Sequence, residues 1–318
     1  MFLELGGLAA AGVSVPYSQP VPKRKEGGRH PLSKRSLRIA HLTDIHLQPE
    51  RKAEEWLAAC LHHVQNLDDK PDLIINGGDA IMDALAASES RTRIQWNLWR
   101  KAIQAECSLP IEHCLGNHDI WGWDKTKSGA SGTEPLFGKK WAMNEYGLSR
   151  AFRSFDRNAW HIVVLDSTQP KATSVYEARL DEEQLSWLEN DLNLVGGRKP
   201  VMVVSHIPIL TACGFFHVPQ SEKSGDWLML GVLMHLDAAR LISLFLKHKN
   251  VKLCLSGHIH LIDRVDYNGV TYLCNGSVCA NWWKGKFHEC EPGYALIDLY
   301  EDGSFEHEYK PYGWKLIG

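Results

Sequence analysis

The sequence has little of what marks several common protein classes. Its eight cysteines contain no CxxC pair and no dense framework, so we interpret most of them as small buried hydrophobic residues. The formal net charge of −3 over 318 residues gives no electrostatic argument for binding a nucleic-acid polymer or an anionic membrane. No apolar run is long enough and continuous enough to span a bilayer. The composition is therefore that of an ordinary globular protein.

The N-terminal segment is the first feature that the sequence does have. Residues 2–20 have an apolar, small-residue core of signal-peptide length, but no basic residue precedes it. They resemble the end of a twin-arginine export signal whose arginines would lie upstream of Met1, which predicts an exported, periplasmic protein. A loosely packed N-terminal arm on a cytoplasmic protein is the alternative. Residues 20–36 are charged and rich in Pro and Gly, so we expect residues 1–36 to form an arm and linker before one domain over 37–318.

The rest of the chain predicts an α/β domain. Short apolar runs alternate with helical patterns over 50–66, 89–106, 181–194 and 237–248. Such alternation is typical of layered α/β architectures. The C-terminal part instead predicts hairpins around Asn268-Gly269 and Asp302-Gly303, so the sheets should be mixed.

Three long irregular segments, 120–149, 207–235 and 276–292, interrupt this alternation. Long loops in compact domains are usually functional or disordered, and disordered segments are poor in aromatic residues. These loops contain tryptophans, which favours order: Trp121, Trp123, Trp141, Trp227, Trp282 and Trp283. Two interpretations stay open, because the indoles could form a wall that stacks a base or encloses a lipid or aryl group, or could pack the loops against one another.

Polar residues with metal-binding side chains follow the predicted strands. Since ligands bind at the carboxyl ends of strands in open α/β sheets, these residues should converge on one edge. They are Asp44 and His46 in HLTDIH, Asp79 in NGGD, Asn117 and His118 in GNHD, His206 in VVSH, and His258 and His260 in SGHIH. Each motif alone is weak, but five at strand ends point to a site. We interpret the remaining histidines as surface or packing residues, among them His62, His63, His113, His217, His235 and His288.

The donor set indicates which metal chemistry to expect. Two carboxylates, one amide oxygen and four imidazoles suit first-row metals such as Mn, Fe or Zn better than Ca or Mg, and the lack of thiolates disfavours a structural zinc site. Seven ligands exceed what one tetrahedral ion needs. They suit two ions about 3.5 to 4 Å apart that share one carboxylate, which is an arrangement used to hydrolyse phosphate esters.

The ordered set Asp-x-His, Gly-Asp, Gly-Asn-His-Asp, Ser-His and Gly-His-x-His resembles the calcineurin-like metallophosphoesterase superfamily over roughly residues 37–275. The resemblance implies a four-layer α/β/β/α sandwich of two mixed sheets and two divalent or trivalent transition-metal ions. Asp44, His46 and His260 would hold one ion, Asn117, His206 and His258 the other, and Asp79 would bridge them. By the same resemblance His118 would protonate the leaving oxygen, and Asp119 would orient His118.

The motifs GNHDIWGW, LDST and SHIPI look most like the bacterial branch that includes cyclic-nucleotide phosphodiesterase-like enzymes. The hypothesis is that a hydroxide bridging the ions attacks the phosphorus of a small-molecule phosphodiester while His118 acts as general acid. No Lys/Arg cluster accompanies the Trp-rich loops, which favours a singly charged diester over a polyphosphate. A phosphomonoesterase, a non-catalytic binding protein and a mononuclear metal hydrolase acting on amides remain as alternatives.

Overall fold

The computed structural model describes residues 33–218 and 220–314. The predicted export segment and most of the linker, up to residue 32, lie outside the described residues. Among the helices that are described, none has the length and apolar character needed to cross a bilayer.

Strands and helices alternate at the start of the described chain, four strands then follow one another, and the alternation resumes before the C-terminal hairpins. The strands are β1 (Arg35–Leu42), β2 (Leu73–Asn76), β3 (Ile111–His113), β4 (Arg153–Arg157), β5 (Trp160–Val164), β6 (Thr168–Lys171), β7 (Val175–Ala178), β8 (Val201–Val204), β9 (Val251–Ser256), β10 (Asp263–Tyr267), β11 (Val270–Cys274), β12 (Gly293–Tyr300) and β13 (Phe305–Pro311). The helices are α1 (Ala53–Gln65), α2 (Glu89–Glu106), α3 (Lys125–Ser128), α4 (Lys140–Tyr146), α5 (Glu182–Val195) and α6 (Ala238–Lys247).

The strands form two large mixed sheets and one small hairpin. The first sheet has the order β13-β12-β1-β2-β3, and the second has the order β10-β11-β9-β8-β5-β4. In the first sheet β1, β2 and β3 are parallel. In the second β5, β8, β9 and β11 are parallel, with antiparallel strands at both edges. The β6–β7 hairpin is a separate two-stranded unit.

Alternation along the strands builds the layers. Ile39 of β1 belongs to a core that also contains Ile162 and Leu253 of the second sheet, so this core lies between the two sheets. Its neighbour Ala40 faces the opposite side, into a core shared with α1 and α2. The outer face of the second sheet packs against α5 and α6. The predicted α/β/β/α sandwich is therefore confirmed.

Local signals explain why the elements begin and end where they do. Helix α2 begins after Ser88, whose Oγ accepts a hydrogen bond from Arg91 N at 3.3 Å. Helix α5 begins after Asp181, whose carboxylate accepts from Gln184 N at 2.8 Å, and it ends at Gly196. The β10–β11 turn has positive φ at Asn268 and at the glycine that follows, as a type I′ turn requires. The predicted helices and hairpins agree with these elements, whereas β4, β6 and β7 were not predicted, and the segment 120–149, expected to be irregular, contains the short helices α3 and α4.

A charged network far from the predicted site ties α5 to the β4–β5 hairpin. His161 is buried, and its Nδ1 and Nε2 lie 2.8 Å from Asp156 Oδ1 and 2.9 Å from Asp191 Oδ2. Lys199 Nζ lies 2.9 Å from the other Asp156 oxygen. Because two ionised carboxylates can only accept, both ring nitrogens must donate, which only the protonated imidazole can do. Burial opposes the charged form, but the two aspartates raise the pKa of His161 above its ordinary value.

This network predicts a pH-dependent stability. We expect His161→Gln to lower the free energy of unfolding by about 1 to 2 kcal/mol at pH 6, since it removes hydrogen bonds to charged groups. A group whose pKa is raised on folding contributes fully below its unfolded pKa and loses that contribution as pH rises through the folded value. Urea unfolding should therefore show that the difference in free energy of unfolding between the wild type and His161→Gln is smaller at pH 9 than at pH 6. His62→Gln, which breaks an exposed pair with Glu106, is the control and should cost little. A stability difference that grows with pH would contradict the assignment of His161 as protonated.

Candidate metal centre

The predicted ligands leave their strands in tight turns. Asp44, His46, Asp79, His258 and His260 all have positive φ, between 48° and 68°. This left-handed conformation is uncommon outside glycine and persists only where surrounding structure holds it. Here the turn after β1 is bonded to the turn after β2, with Asp44 N donating to Gly78 O at 3.0 Å and His46 N donating to Asp79 O at 2.9 Å. Such strained turns cluster at functional sites.

The first half of the site contains the ligands expected for one ion. His260 Nε2 lies 3.1 Å from His46 Nε2 and 3.4 Å from Asp44 Oδ1. His46 Nε2 lies 3.7 Å from Asp79 Oδ2. All four side chains are almost completely buried. Strands β1, β2 and β9 thus bring residues from both sheets to one point.

The second half lies on the other side of Asp79. His206 Nε2 is 3.2 Å from Asn117 Oδ1 and 3.2 Å from Asp79 Oδ2. The ring of His258 is 5.1 Å from that of His206, and a nitrogen of each ring and an Asp79 oxygen all lie within 4.8 Å of one another. Asp79 Oδ2 therefore faces both halves, while Asp79 Oδ1 accepts from His118 N at 2.7 Å. The structure brings all seven predicted ligands together.

Backbone carbonyls fix which nitrogen of each imidazole is free. His260 Nδ1 donates to Ala280 O at 2.5 Å, His206 Nδ1 to Gly77 O at 2.9 Å, and His258 Nε2 to Val232 O at 2.8 Å. His46 Nδ1 makes a longer contact of 3.4 Å to Met82 O. A carbonyl only accepts, so the other nitrogen of each ring is the one that faces the centre and can bind a metal ion.

This donor set fits metal ions. The lone pairs of His46 and His260 face each other at 3.1 Å, and that of His206 faces two oxygen acceptors. Lone pairs in such contact repel unless a cation lies between them. Hydrogen-bonding the far nitrogen of a ligand histidine to a carbonyl is also the usual way proteins orient a metal-binding imidazole. The residues present therefore match the two-ion site that the family motifs imply.

The charges of the site agree with this assignment. Burial lowers the pKa of His46 and of His258 to about 3 in each case, so both stay neutral, as a ligand must. Burial opposes ionisation of Asp79, but the neighbouring His206 and His118 hold its pKa well below the ordinary value. Burial likewise opposes protonation of His206, yet Asp79 and Asp44 raise its pKa to about 9. The carboxylates thus demand positive charge, which metal ions would supply.

Glycines allow the backbone to approach the carboxylates. His258 N donates to Asp44 Oδ2 at 2.9 Å, which brings the preceding Gly257 against the same side chain. A Cβ on Gly257 would lie 2.0 Å from Thr43 Oγ1 and 2.3 Å from Asp44 Oδ2. On the other side of the site, a Cβ on Gly116 would lie 2.1 Å from Asp79 Oδ1. No side chain larger than hydrogen fits at either position without moving a predicted ligand.

The carboxylate that faces His118 differs from the one expected. Asp119 accepts hydrogen bonds from the backbone N–H groups of Asp79, Ala80 and Gly116 at 2.9 to 3.0 Å, so it fixes the turns that carry the ligands. His118 Nδ1 instead lies 3.6 Å from Asp83 Oδ1. The expectation that Asp119 orients His118 is corrected: Asp119 positions backbone, and Asp83 faces the imidazole. Although burial opposes protonation, Asp79 and Asp83 raise the pKa of His118 to about 9.

Two residues of the site were missed from the sequence. Asp83 lies in an irregular stretch four residues after Asp79, where no strand end indicated it. The Cys279 sulfur lies within 4.8 Å of ring nitrogens of His46 and His260. Cys279 belongs to the NGSVCANWW segment. This segment is bonded to the turn after β1, because Val278 N and Cys279 N donate to the carbonyls of Thr43 and Asp44. The NGSVCANWW motif was therefore the feature of the sequence that could have indicated Cys279 as a residue of the site.

The tryptophans of the long loops divide between the two expected roles. Trp121, Trp141 and Trp283 are buried core residues, and Trp283 Nε1 donates to His46 O at 3.0 Å. Trp282 is half-buried, with its ring 4.6 Å from that of His260 and 6.1 Å from that of His46. Packing therefore explains three of the indoles, and Trp282 lies beside the metal ligands.

Comparison with known proteins gives a consistent result. The family described as calcineurin-like phosphoesterase matches residues 37–261. The 3',5'-cyclic adenosine monophosphate phosphodiesterase CpdA of Escherichia coli K12 is 25% identical over 86% of this chain and 88% of its own length. A probable glycerophosphodiester phosphodiesterase GpdQ of Arcobacter nitrofigilis is 24% identical over 75% of this chain and 77% of its own. A dimetal phosphatase structure from Danio rerio has a TM-score of 0.61 at 15% identity, over 88% of this chain and 97% of that one, and shares the fold.

The geometry predicts the metal content of the protein. We expect about two transition-metal ions per chain after reconstitution with Mn²⁺, and at most one in Asp79→Asn, because the amide removes the charge that faces both halves. Elemental analysis after dialysis measures this. Asp266→Asn on β10, which changes an exposed carboxylate far from the ligands, is the matched control and should retain both ions. Full metal content in Asp79→Asn would exclude a bridging role.

The close approach at Gly257 predicts a second metal-binding defect. We expect Gly257→Ala to weaken metal retention about tenfold or more, because the added methyl displaces the Asp44 carboxylate from its position between Thr43 and His260. Gly197→Ala is the control, since a Cβ there would meet nothing within 4 Å. Metal release to a competing chelator measures the difference. Equal release from both variants would mean that the turn before His258 tolerates a side chain.

Proposed function

The chain belongs to the calcineurin-like phosphoesterase family, and on this premise we propose that it hydrolyses small-molecule phosphodiesters at the centre formed by Asp44, His46, Asp79, Asn117, His206, His258 and His260. Membership makes it a metal-dependent phosphoric ester hydrolase. The observation that carries the proposal is the convergence of four imidazole nitrogens and two carboxylates in one buried space. Residues 37–318 would form the single catalytic domain.

The metal ligands would form two groups of three, one for each ion, as their distances in the structure indicate. Asp44, His46 and His260 would bind one ion, and Asn117, His206 and His258 the other, with Asp79 Oδ2 between them. Two ions of the Mn, Fe or Zn type, when bound, activate water and neutralise charge on the phosphoryl oxygens. The protein's own part is to hold the ligands in their neutral or ionised forms and to exclude bulk water, which the burial of the cluster achieves.

His118 would donate the proton to the leaving oxygen. Its side chain is mostly buried next to the first group of ligands, with its ring 4.9 Å from that of His46. The backbone N–H of His118 donates to Asp79 Oδ1, which fixes the residue relative to the bridging carboxylate. Asp83 would keep the imidazole turned toward the cleft through the contact to Nδ1. A positioned histidine of this kind is a common general acid.

The surroundings of the site favour a diester over a monoester. Trp123, Tyr176, Ile207, Val232 and Trp282 adjoin the ligand-bearing loops and are apolar or aromatic. Lys139 lies over the Trp123 ring, but its charge is paired with Asp166 at 2.5 Å. A second ester group could pack against such walls, whereas the extra charge of a monoester would gain little there. The curated relatives named as cyclic-nucleotide and glycerophosphodiester phosphodiesterases support the same choice.

Activity ratios test the proposal. We expect the Mn²⁺-loaded protein to hydrolyse bis(p-nitrophenyl) phosphate with a higher kcat/KM than p-nitrophenyl phosphate, and Asp79→Asn to abolish both activities. Metal content measured on the same samples separates a loss of chemistry from a loss of ions. A reversed ratio would make the protein a phosphomonoesterase. Hydrolysis of either ester by Asp79→Asn at the wild-type rate would exclude a two-ion mechanism that depends on Asp79.

The role of His118 predicts a dependence on the leaving group. We expect His118→Asn to lower kcat by about 10² to 10⁴-fold on a 3',5'-cyclic nucleotide, because an alkoxide leaving group needs a proton. The loss should be smaller on bis(p-nitrophenyl) phosphate, whose phenolate leaves readily without one. Asp83→Asn should show the same pattern at reduced size, and Asp124→Asn, an N-cap carboxylate in the following loop, serves as the control. Equal losses on the two substrates would rule out a general-acid role.

A further inference from the structure

A small hairpin that the metal-ligand motifs do not include packs against the loops next to two of the predicted ligands. Strands β6 and β7 pair only with each other. Alternation in β7 places Tyr176 and Ala178 on the buried face and leaves Val175 and Glu177 partly exposed. Val175 has φ 67°, which is strained for a β-branched residue and persists only where surrounding contacts hold the backbone.

The hairpin is fastened to the loops that carry the second group of ligands. Ala178 N donates to Gly231 O at 2.7 Å, and Leu236 N donates to Ala178 O at 2.8 Å. The intervening Val232 is the residue whose carbonyl accepts from His258 Nε2. At the start of β6, Ser167 Oγ accepts from Ile207 N at 3.1 Å, one residue after His206. The hairpin therefore keeps its position relative to His206 and His258.

Tyr176 packs its ring against residues that flank the second group of ligands. It packs in a cluster with Ile207, Val232, Trp123 and Leu85. Two of these adjoin predicted ligands directly, since Ile207 follows His206 and Val232 contacts His258. Burial and then the charge of Asp79 raise the pKa of the Tyr176 phenol, so the hydroxyl remains a proton donor.

The hydroxyl of Tyr176 has no hydrogen-bond partner anywhere in the described ranges, although the side chain is only 8% exposed. Three other buried tyrosines have partners, since Tyr146 bonds to Asn76, Tyr294 to His63 and Tyr312 to the carbonyl of Val278, whereas Tyr272, in the core beneath α5 and α6, has none among the described residues. The Tyr176 oxygen is not one of the fully enclosed polar atoms that lack a partner, so it keeps contact with solvent and is open to a ligand, to which a hydroxyl can donate a hydrogen bond. A phosphate ester held at the metal centre would bring acceptor oxygens to this side of the cleft.

We propose that the Tyr176 hydroxyl contacts the substrate and donates a hydrogen bond to a phosphoryl or ester oxygen on the side of the cleft formed by Asn117, His206 and His258. The inference rests on the proposed phosphoesterase function. It adds to the metal ligands and His118 a substrate-binding group from a segment outside all five motifs. Ile207 and Val232 would hold the ring, and Asp79 would keep the hydroxyl protonated.

Tyr176→Phe tests the contact, because it removes the oxygen and keeps the ring that packs the cluster. We expect kcat/KM on bis(p-nitrophenyl) phosphate and the affinity of the Mn²⁺-loaded protein for inorganic phosphate both to fall by about 10- to 100-fold, the range for a hydrogen bond to a charged group. Metal content and the thermal midpoint should match the wild type. Tyr272→Phe is the matched control, since Tyr272 is a buried tyrosine in the core beneath α5 and α6, and it should change neither quantity.

The outcomes separate this inference from the proposed function. Unchanged phosphate affinity and unchanged kcat/KM in Tyr176→Phe would overturn the contact, as would a loss that accompanies loss of metal. If the wild type hydrolyses neither a diester nor a monoester but binds phosphate, the proposed function fails. The phosphate affinity of Tyr176→Phe then still decides whether its hydroxyl contacts a phosphoryl oxygen.

Discussion

The site depends on one electrostatic constraint. Imidazole nitrogens and carboxylates from distant parts of the chain face one another in a space that is buried from solvent. Asp44 and Asp79 are 0% and 1% exposed, and the imidazoles beside them have their free nitrogens directed inward by carbonyl contacts. Burying ionised carboxylates is costly unless positive charge compensates them. The strained turns and the glycines at 116 and 257 follow from this constraint, because they bring backbone and carboxylate closer than ordinary loops would.

The sandwich supplies the rigidity that such an arrangement requires. Asp44 and Asp79 follow strands of the first sheet, whereas His206 and His258 follow strands of the second. The core between the sheets, which includes Ile39, Ile162 and Leu253, therefore sets the distance between ligands. Metal ions bound at this edge would join the two sheets, so that ion binding favours the whole folded state rather than one loop.

The sequence was most informative where hydrophobic period and turn chemistry agreed. Helix α2 was predicted from the helical spacing of its apolar residues, and the turn at Asn268 because Asn-Gly suits a type I′ turn. The ligands were predicted because each follows an apolar strand. The β6–β7 hairpin was not, since the stretch TQPKATSVYEA has few apolar residues and Pro170 argues against a strand. Asp83, in an irregular stretch, and Tyr176, on the unpredicted strand β7, are placed near the ligands by tertiary contacts, which no local pattern indicates.

The position of β1 has a consequence for synthesis of the protein. Its hydrogen-bonding partner on one side is β2, which follows it closely, but the other is β12, near the opposite end of the chain. While the ribosome is still making residues up to 293, the nascent first sheet has an unpaired edge along Ile39 and His41. Unpaired strand edges on incomplete chains are prone to aggregation, and chaperones protect such chains. All seven ligands precede β12 in the chain, so each of them is synthesised before the strand that completes the sheet carrying Asp44.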